Sequence, residues 1–200
     1  MPQTSAALAD HVHRRLFAAI VPPEVARKEL AEVVRAAGPD TPELAPVSVE
    51  DMRIHVTSFG NVSQRDALML VDTLAEAAKA WPRPELRFAG SAALEWPGDE
   101  NVWARLDGDV DGALTIGRGV PPAVKRLGFL VDRRAFRPWL PVGSITDHTT
   151  APYLERLVAD LDEFKGSLWT LDTLAIIRKV PLDEGGRVEE VVLDEVQLGS

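Results

Sequence analysis

The stretch "MRIHVTSFG" at 52–60 spaces Arg53, His55 and Thr57 two residues apart. Side chains alternate across a β-strand, so the three are expected on one face, with Ile54 and Val56 turned into a core. A fixed cation, a titratable imidazole and a hydroxyl in a row suit a phosphate. Arg balances its charge, Thr donates to an oxygen, and His moves a proton near neutral pH. A second stretch, "FRPWLPVGS" at 136–144, puts Arg137, Trp139 and Pro141 in the same frame. Trp139 offers an indole N–H donor but no titratable group. It suits stacking against a base or, as the favoured reading, filling a cleft. Pro141 donates no hydrogen bond and disfavours a central strand, so a bulge or an edge is expected there. The echo suggests an internal duplication with two facing strands, the second stripped of its polar pair.

"DHTTAP" at 147–152 contains a further His-x-Thr in His148 and Thr150. His148 is a weak candidate for a substitute second histidine. Thr150 reads more naturally as a helix N-cap, with Pro152 in the first turn. His11 and His13 are assigned no role.

The elements that must position these residues alternate along the chain. "RRLFAAIV" reads as a buried strand, and a helix follows from Pro23 to Ala37 with Val25, Leu30, Val33 and Val34 inward. The segment after it is irregular, and 52–59 is a strand. Ser63 caps a helix over 64–80 with Leu68, Val71, Leu74, Ala75 and Ala78 inward. "ELRFAGSAALEW" and "NVWARLDG" are strands joined by a turn at 97–100. The region 109–127 is read as helix despite Gly117, Gly119 and Pro121-Pro122. The strand at 136–142 leads to a helix with Leu154, Leu157, Val158, Leu161 and Phe164 on one face, closed by Gly166. "LWTLDTLAIIRKV" and "VEEVVLDEVQL" are two last strands around the turn "DEGG". The two halves repeat a similar order.

The 200 residues are 46% apolar and 26% charged, which is ordinary for a globular domain with a core. There is no cysteine, which excludes disulfides, thiol nucleophiles and thiolate metal sites. No metal-loop, Walker or dinucleotide motif is present, and neither metal nor cofactor is expected. A formal charge of −9 speaks against non-specific binding of long polynucleotides. No apolar run reaches membrane-spanning length, and no signal-peptide pattern opens the chain. A cytoplasmic location is the expectation.

With "RLFAAIVPPEV", "MRIHVTSFGNV", "FRPWLPVGS" and the final "YLERLVADLDEFKGSLWTLDTLAIIRKV", the chain resembles the 2H phosphoesterases over nearly its whole length. The branch is the one named for 2'-5' RNA ligase and RNA 2',3'-cyclic phosphodiesterase. That resemblance implies an α+β fold of two pseudo-symmetric lobes, each a small antiparallel sheet flanked by helices, with a central cleft. It implies one bilobal domain over 1–200, with 1–13 flexible.

In the family two His-x-Thr motifs face each other, the histidines acting as base and acid and the threonines holding phosphate oxygens, without metal. His55 and Thr57 match the first motif. Trp139 and Pro141 stand where the second histidine and threonine belong, and Ser144 stands where an arginine often follows. "HVTSFG" is also shorter than the family's His-x-Thr-x-x-Phe-x-Gly. Losing one positioned acid or base costs about 10²–10⁴ in rate.

The expectation is therefore a degenerate member that binds a phosphorylated small molecule, nucleotide or RNA end through Arg53, His55 and Thr57, with Arg137 and Trp139 as further ligand-binding candidates, or that binds nothing there. One alternative is an active cyclic phosphodiesterase or RNA ligase using His55 with His148. Another is a protein-interaction scaffold, with the acidic "LDEGGRVEEVVLDE" as a candidate surface.

Overall fold

Apolar residues fill both faces of the first strand, so it must be covered on both sides, and it lies inside a sheet with neighbours on either edge. The computed structural model describes residues 14–38, 42–129, 131, 134–181 and 188–199. His11, His13 and the "DEGG" turn lie outside them. Among the described residues the strands are β1 (Arg14–Ile20), β2 (Leu44–Pro46), β3 (Ile54–Val62), β4 (Glu85–Ala93), β5 (Asn101–Gly108), β6 (Trp139–Ile145), β7 (Trp169–Thr170), β8 (Thr173–Pro181) and β9 (Val188–Gln197). The helices are α1 (Glu24–Ala37), α2 (Gln64–Ala78), α3 (Val110–Val124) and α4 (Ala151–Glu163).

Two antiparallel sheets result, in the orders β3-β1-β8-β9 and β2-β6-β5-β4-β7. Helices α2 and α3 pack on the first sheet, and α1 and α4 on the second. The fold is α+β, as expected. The lobes do not follow the two halves of the chain, however. β1 and β3 are joined in one sheet by β8 and β9, and the chain crosses between sheets several times. "LWTLDTLAIIRKV" is not one strand: it splits at Leu171–Asp172, giving β7 to the second sheet and β8 to the first.

The helical periods are right, but two phases are shifted. Val25 and Leu68 are exposed at 64% and 61%, while Ala26, Leu30 and Val34 of α1 and Ala67, Leu70 and Leu74 of α2 face the core. The glycine-broken region is the continuous helix α3, capped by Asp109 accepting from the Gly112 N–H at 2.9 Å. Its glycines admit neighbours: a Cβ on Gly117 would lie 2.1 Å from the Phe136 ring, and one on Gly119 2.7 Å from the Trp81 indole. α4 ends at Glu163, with Phe164 rather than Gly166 closing it.

One continuous core runs through the helix-covered faces of both sheets, including Leu16, Ala18, Ile20, Ile54, Leu140 and Val142. The opposite face of the first sheet carries a smaller apolar cluster of Phe17, Ala19, Ala175 and Ile177. That face, and the β5–β6 face of the second sheet, bound the cleft.

Candidate functional site between the two sheets

His55 pairs with Ala19 across the β1–β3 ladder, and cross-strand partners share a face, so the imidazole stands on the cleft side. It stacks on Phe17, with centroids 5.3 Å apart and planes at 30°. The next partner of β1 is Thr57, opposite Ala18, so Val56 is an extra, bulged residue. A bulge reverses the alternation beyond it. Thr57 therefore shares the core face of Ala18 and is 2% exposed, and it is not among the residues lining the cleft. This corrects the expectation that Arg53, His55 and Thr57 stand in a row. Ser58, opposite Phe17, shares the imidazole's face without itself lining the cavity, its Oγ 3.2 Å from His55 Nε2. Sequence reasoning missed Ser58. The shortened "HVTSFG" was the available signal.

Arg53 lies just before β3 and lines the cleft, but its guanidinium is already engaged. Nε donates to the Asp51 carbonyl (3.1 Å) and NH2 to the Glu50 carbonyl (3.1 Å) and Asp51 Oδ1 (3.0 Å). NH1 pairs with Glu190 Oε2 at 2.9 Å. The other oxygen of Glu190 holds Lys179 Nζ at 3.0 Å, and Lys179 sits 5.3 Å from the Phe17 centroid. Glu190 and Lys179, both cleft-lining, were not singled out from the sequence.

The facing wall is built on β5 and β6. Trp139 pairs with Arg105 and Pro141 with Trp103, while Leu140 and Ala104 between them turn into the core. Val142 is an extra residue opposite β5, so the bulge expected at Pro141 is present. The edge strand β2 covers β6 only from Gly143 onward. Arg137 is not in the strand. The Trp139 N–H donates to the Arg137 carbonyl at 2.8 Å, a tight turn about Pro138. That turn folds the Arg137 guanidinium over two indoles, 4.4 Å from the Trp96 centroid and 5.2 Å from that of Trp139. Arg105 lies 5.2 Å from the Trp139 centroid, and Trp96 meets Trp103 at 5.8 Å. The wall is thus a guanidinium–indole stack.

Trp96 reaches this stack from the β4–β5 turn. The Asp99 N–H donates to the Trp96 carbonyl at 3.0 Å, and Pro97-Gly98 has Gly98 at φ 82°, the form of a type II turn. Asp99 is buried. It accepts from the Trp103 indole (3.0 Å), the Asn101 N–H (3.0 Å) and side-chain amide (3.2 Å), and the Glu95 N–H (3.3 Å). Burial works against ionisation of this carboxyl. The hydrogen bonds, led by that of Trp103, outweigh it and hold the pKa below the ordinary value.

His55, Arg53, Arg137, Trp139 and Pro141 all line one cavity of about 590 Å³. The indole therefore faces the imidazole's wall without filling the cleft, contrary to the favoured reading of Trp139 as a plug. His148 is exposed and is not among the lining residues. Its backbone N–H donates to Thr146 Oγ1, and Thr150 caps α4 by accepting from the Tyr153 N–H at 3.4 Å. Among the described residues no cluster could hold a metal ion, and no helix is long and apolar enough to cross a membrane.

Solved structures share this architecture. TT0787 of Thermus thermophilus superposes with a TM-score of 0.70 at 17% identity, covering 92% of this chain and 97% of its own. E. coli LigT complexed with 3'-AMP superposes at 0.67 and 16% identity, covering 94% of this chain and 99% of its own. The fold is the two-lobed 2H phosphoesterase fold. A structure described as a phosphoesterase shares it, with a TM-score of 0.64, 16% identity and coverage of 94% and 99%. No family model and no curated protein matches the sequence. On the 2H fold, then, this chain presents one imidazole wall and one indole–guanidinium wall.

Proposed function

We propose that this protein binds a phosphorylated nucleotide in the cleft between its sheets and does not turn it over. The observation that carries this reading is the pairing of walls. Among the described residues a single imidazole, that of His55, lines the cavity, and the Trp139 indole lines it from the other wall. In-line cleavage of a phosphodiester needs a base for the attacking oxygen and an acid for the leaving one. Trp139 can do neither, Pro141 has no donor, and His148 lies outside the cavity.

The volume, about 590 Å³, falls within the ordinary range for small-molecule sites. LigT has been solved in complexes with 3'-AMP, ATP and NADP+, which supports a nucleotide as the ligand class on this fold. Aromatic rings and cations on one wall suit a base and a phosphate together.

Calorimetric titration with 3'-AMP and ATP, alongside an assay of 2',3'-cyclic nucleotide hydrolysis, tests the reading. Binding weakened in His55→Ala, with hydrolysis at the buffer rate, is the expected result. Turnover that disappears in His55→Ala would instead make the protein an active phosphodiesterase.

A further inference from the structure

We propose that Arg137, held against Trp96 and Trp139, is the anion-binding fork of the cleft, and that Trp139 acts as its positioning residue. This deepens the nucleotide reading and rests on it. A guanidinium has a planar face and five in-plane N–H donors. The Arg137 guanidinium carbon lies over two indoles, 4.4 Å from the Trp96 centroid and 5.2 Å from that of Trp139. The side chain is exposed and lines the cavity, so its N–H edge is open to a ligand. Among the described residues no carboxylate pairs with it. Two parallel N–H···O bonds to one phosphoryl group fit that edge.

The first wall offers less to an anion. Arg53 and Lys179 share Glu190, one through each carboxylate oxygen, at 2.9 and 3.0 Å. An incoming phosphate there would have to displace a carboxylate that is already neutralising both cations. The backbone supports the same assignment. Phe136 is lodged against Gly117 of α3, and the turn about Pro138 folds Arg137 back over the indole that begins β6. Anion recognition on this reading falls to the segment that precedes β6 rather than to the imidazole strand.

The test is calorimetry at low ionic strength with inorganic phosphate and with 3'-AMP, on the wild type and five variants. Arg137→Ala is expected to weaken both ligands about tenfold or more, and Arg137→Lys to recover only part of this, because a point charge lacks the fork. Trp139→Leu should weaken binding several-fold with the melting temperature held, and Trp139→Tyr should restore it by returning a π face. Lys179→Ala should leave affinity within twofold. Binding that survives Arg137→Ala but falls in Lys179→Ala would overturn the fork while leaving the nucleotide reading intact. A wild-type protein that binds neither ligand overturns both.

Discussion

Ser58 Oγ lies 3.2 Å from Nε2 of His55, both on the cleft face of β3, while Thr57 between them points into the core. The hydroxyl beside the imidazole is therefore the serine's. A hydrogen bond of this kind contributes roughly 0.5–1.5 kcal/mol. Ser58→Ala is expected to weaken nucleotide binding about two- to tenfold with no more than about 0.5–1.5 kcal/mol lost in stability. Thr57→Ala should do the reverse, losing about 1–2 kcal/mol of stability while affinity stays within twofold. Urea denaturation and calorimetry on the two variants separate the roles, and the opposite pattern would show that the bulge at Val56 does not turn Thr57 away.

Glu190→Gln should make the first wall more receptive to anions. The substitution leaves Arg53 and Lys179 without the carboxylate they share, and the loss of an ion pair at a partly exposed site costs less than about 1 kcal/mol. Phosphate affinity is expected to rise roughly two- to fivefold and to fall again with added salt. A salt-independent or weakened response in the titration would mean that Glu190 does not guard this wall.

Gly117→Ala sets two magnitudes against each other. Alanine in a helix gains about 1 kcal/mol over glycine. The added methyl would lie 2.1 Å from Cδ1 and 2.4 Å from Cγ of Phe136, too near the root of that side chain for a simple rotation. Overpacking costs about 1–3 kcal/mol, so a net loss of up to about 2 kcal/mol is expected. Because Phe136 anchors the residue before Arg137, phosphate affinity should drop with it. A stabilised variant in thermal denaturation would place the ring elsewhere.

Asp99 ties the Trp96–Trp103 hairpin to acid pH. Burial opposes its charge, but the hydrogen bonds from Trp103, Asn101 and Glu95 prevail and lower the pKa. A depressed folded-state pKa contributes stability above the unfolded value and loses it as pH falls through the folded one. Between the two the unfolded chain binds more protons, so stability rises with pH. Urea midpoints read by tryptophan fluorescence should therefore fall on acidification below about pH 5, with a shallower slope in Asp99→Asn. An equal slope would assign the acid response to other carboxylates.

Much of this fold was legible because burial leaves a periodic trace. β1, the Ser63 cap and the helix starting at Gln64 follow from residue type, and so does the bulge at Pro141, since proline cannot serve a regular ladder. The site was legible as a pair of facing strands. What escaped were effects that act between elements. The bulge at Val56 moves Thr57 to the other face without altering composition. Which residue of α2 leads the buried stripe depends on the sheet it meets, so Leu68 and Ala67 exchange roles. Glu190 reaches Arg53 and Lys179 only because β9 lies beside β8, a pairing between strands that no local pattern announces.

The interleaved sheets also govern when the cleft comes into being during translation. β1 takes β3 on one side and β8 on the other, and β8 is flanked by β9, so the first sheet closes only once the ribosome has made the last strands. A nascent chain that stops at β7 already has His55 and the indole stack but lacks Lys179 and Glu190, and its opening strand has one bare edge. On this account the indole wall has all its strands once β7 is made, whereas the imidazole wall is completed only by β8 and β9.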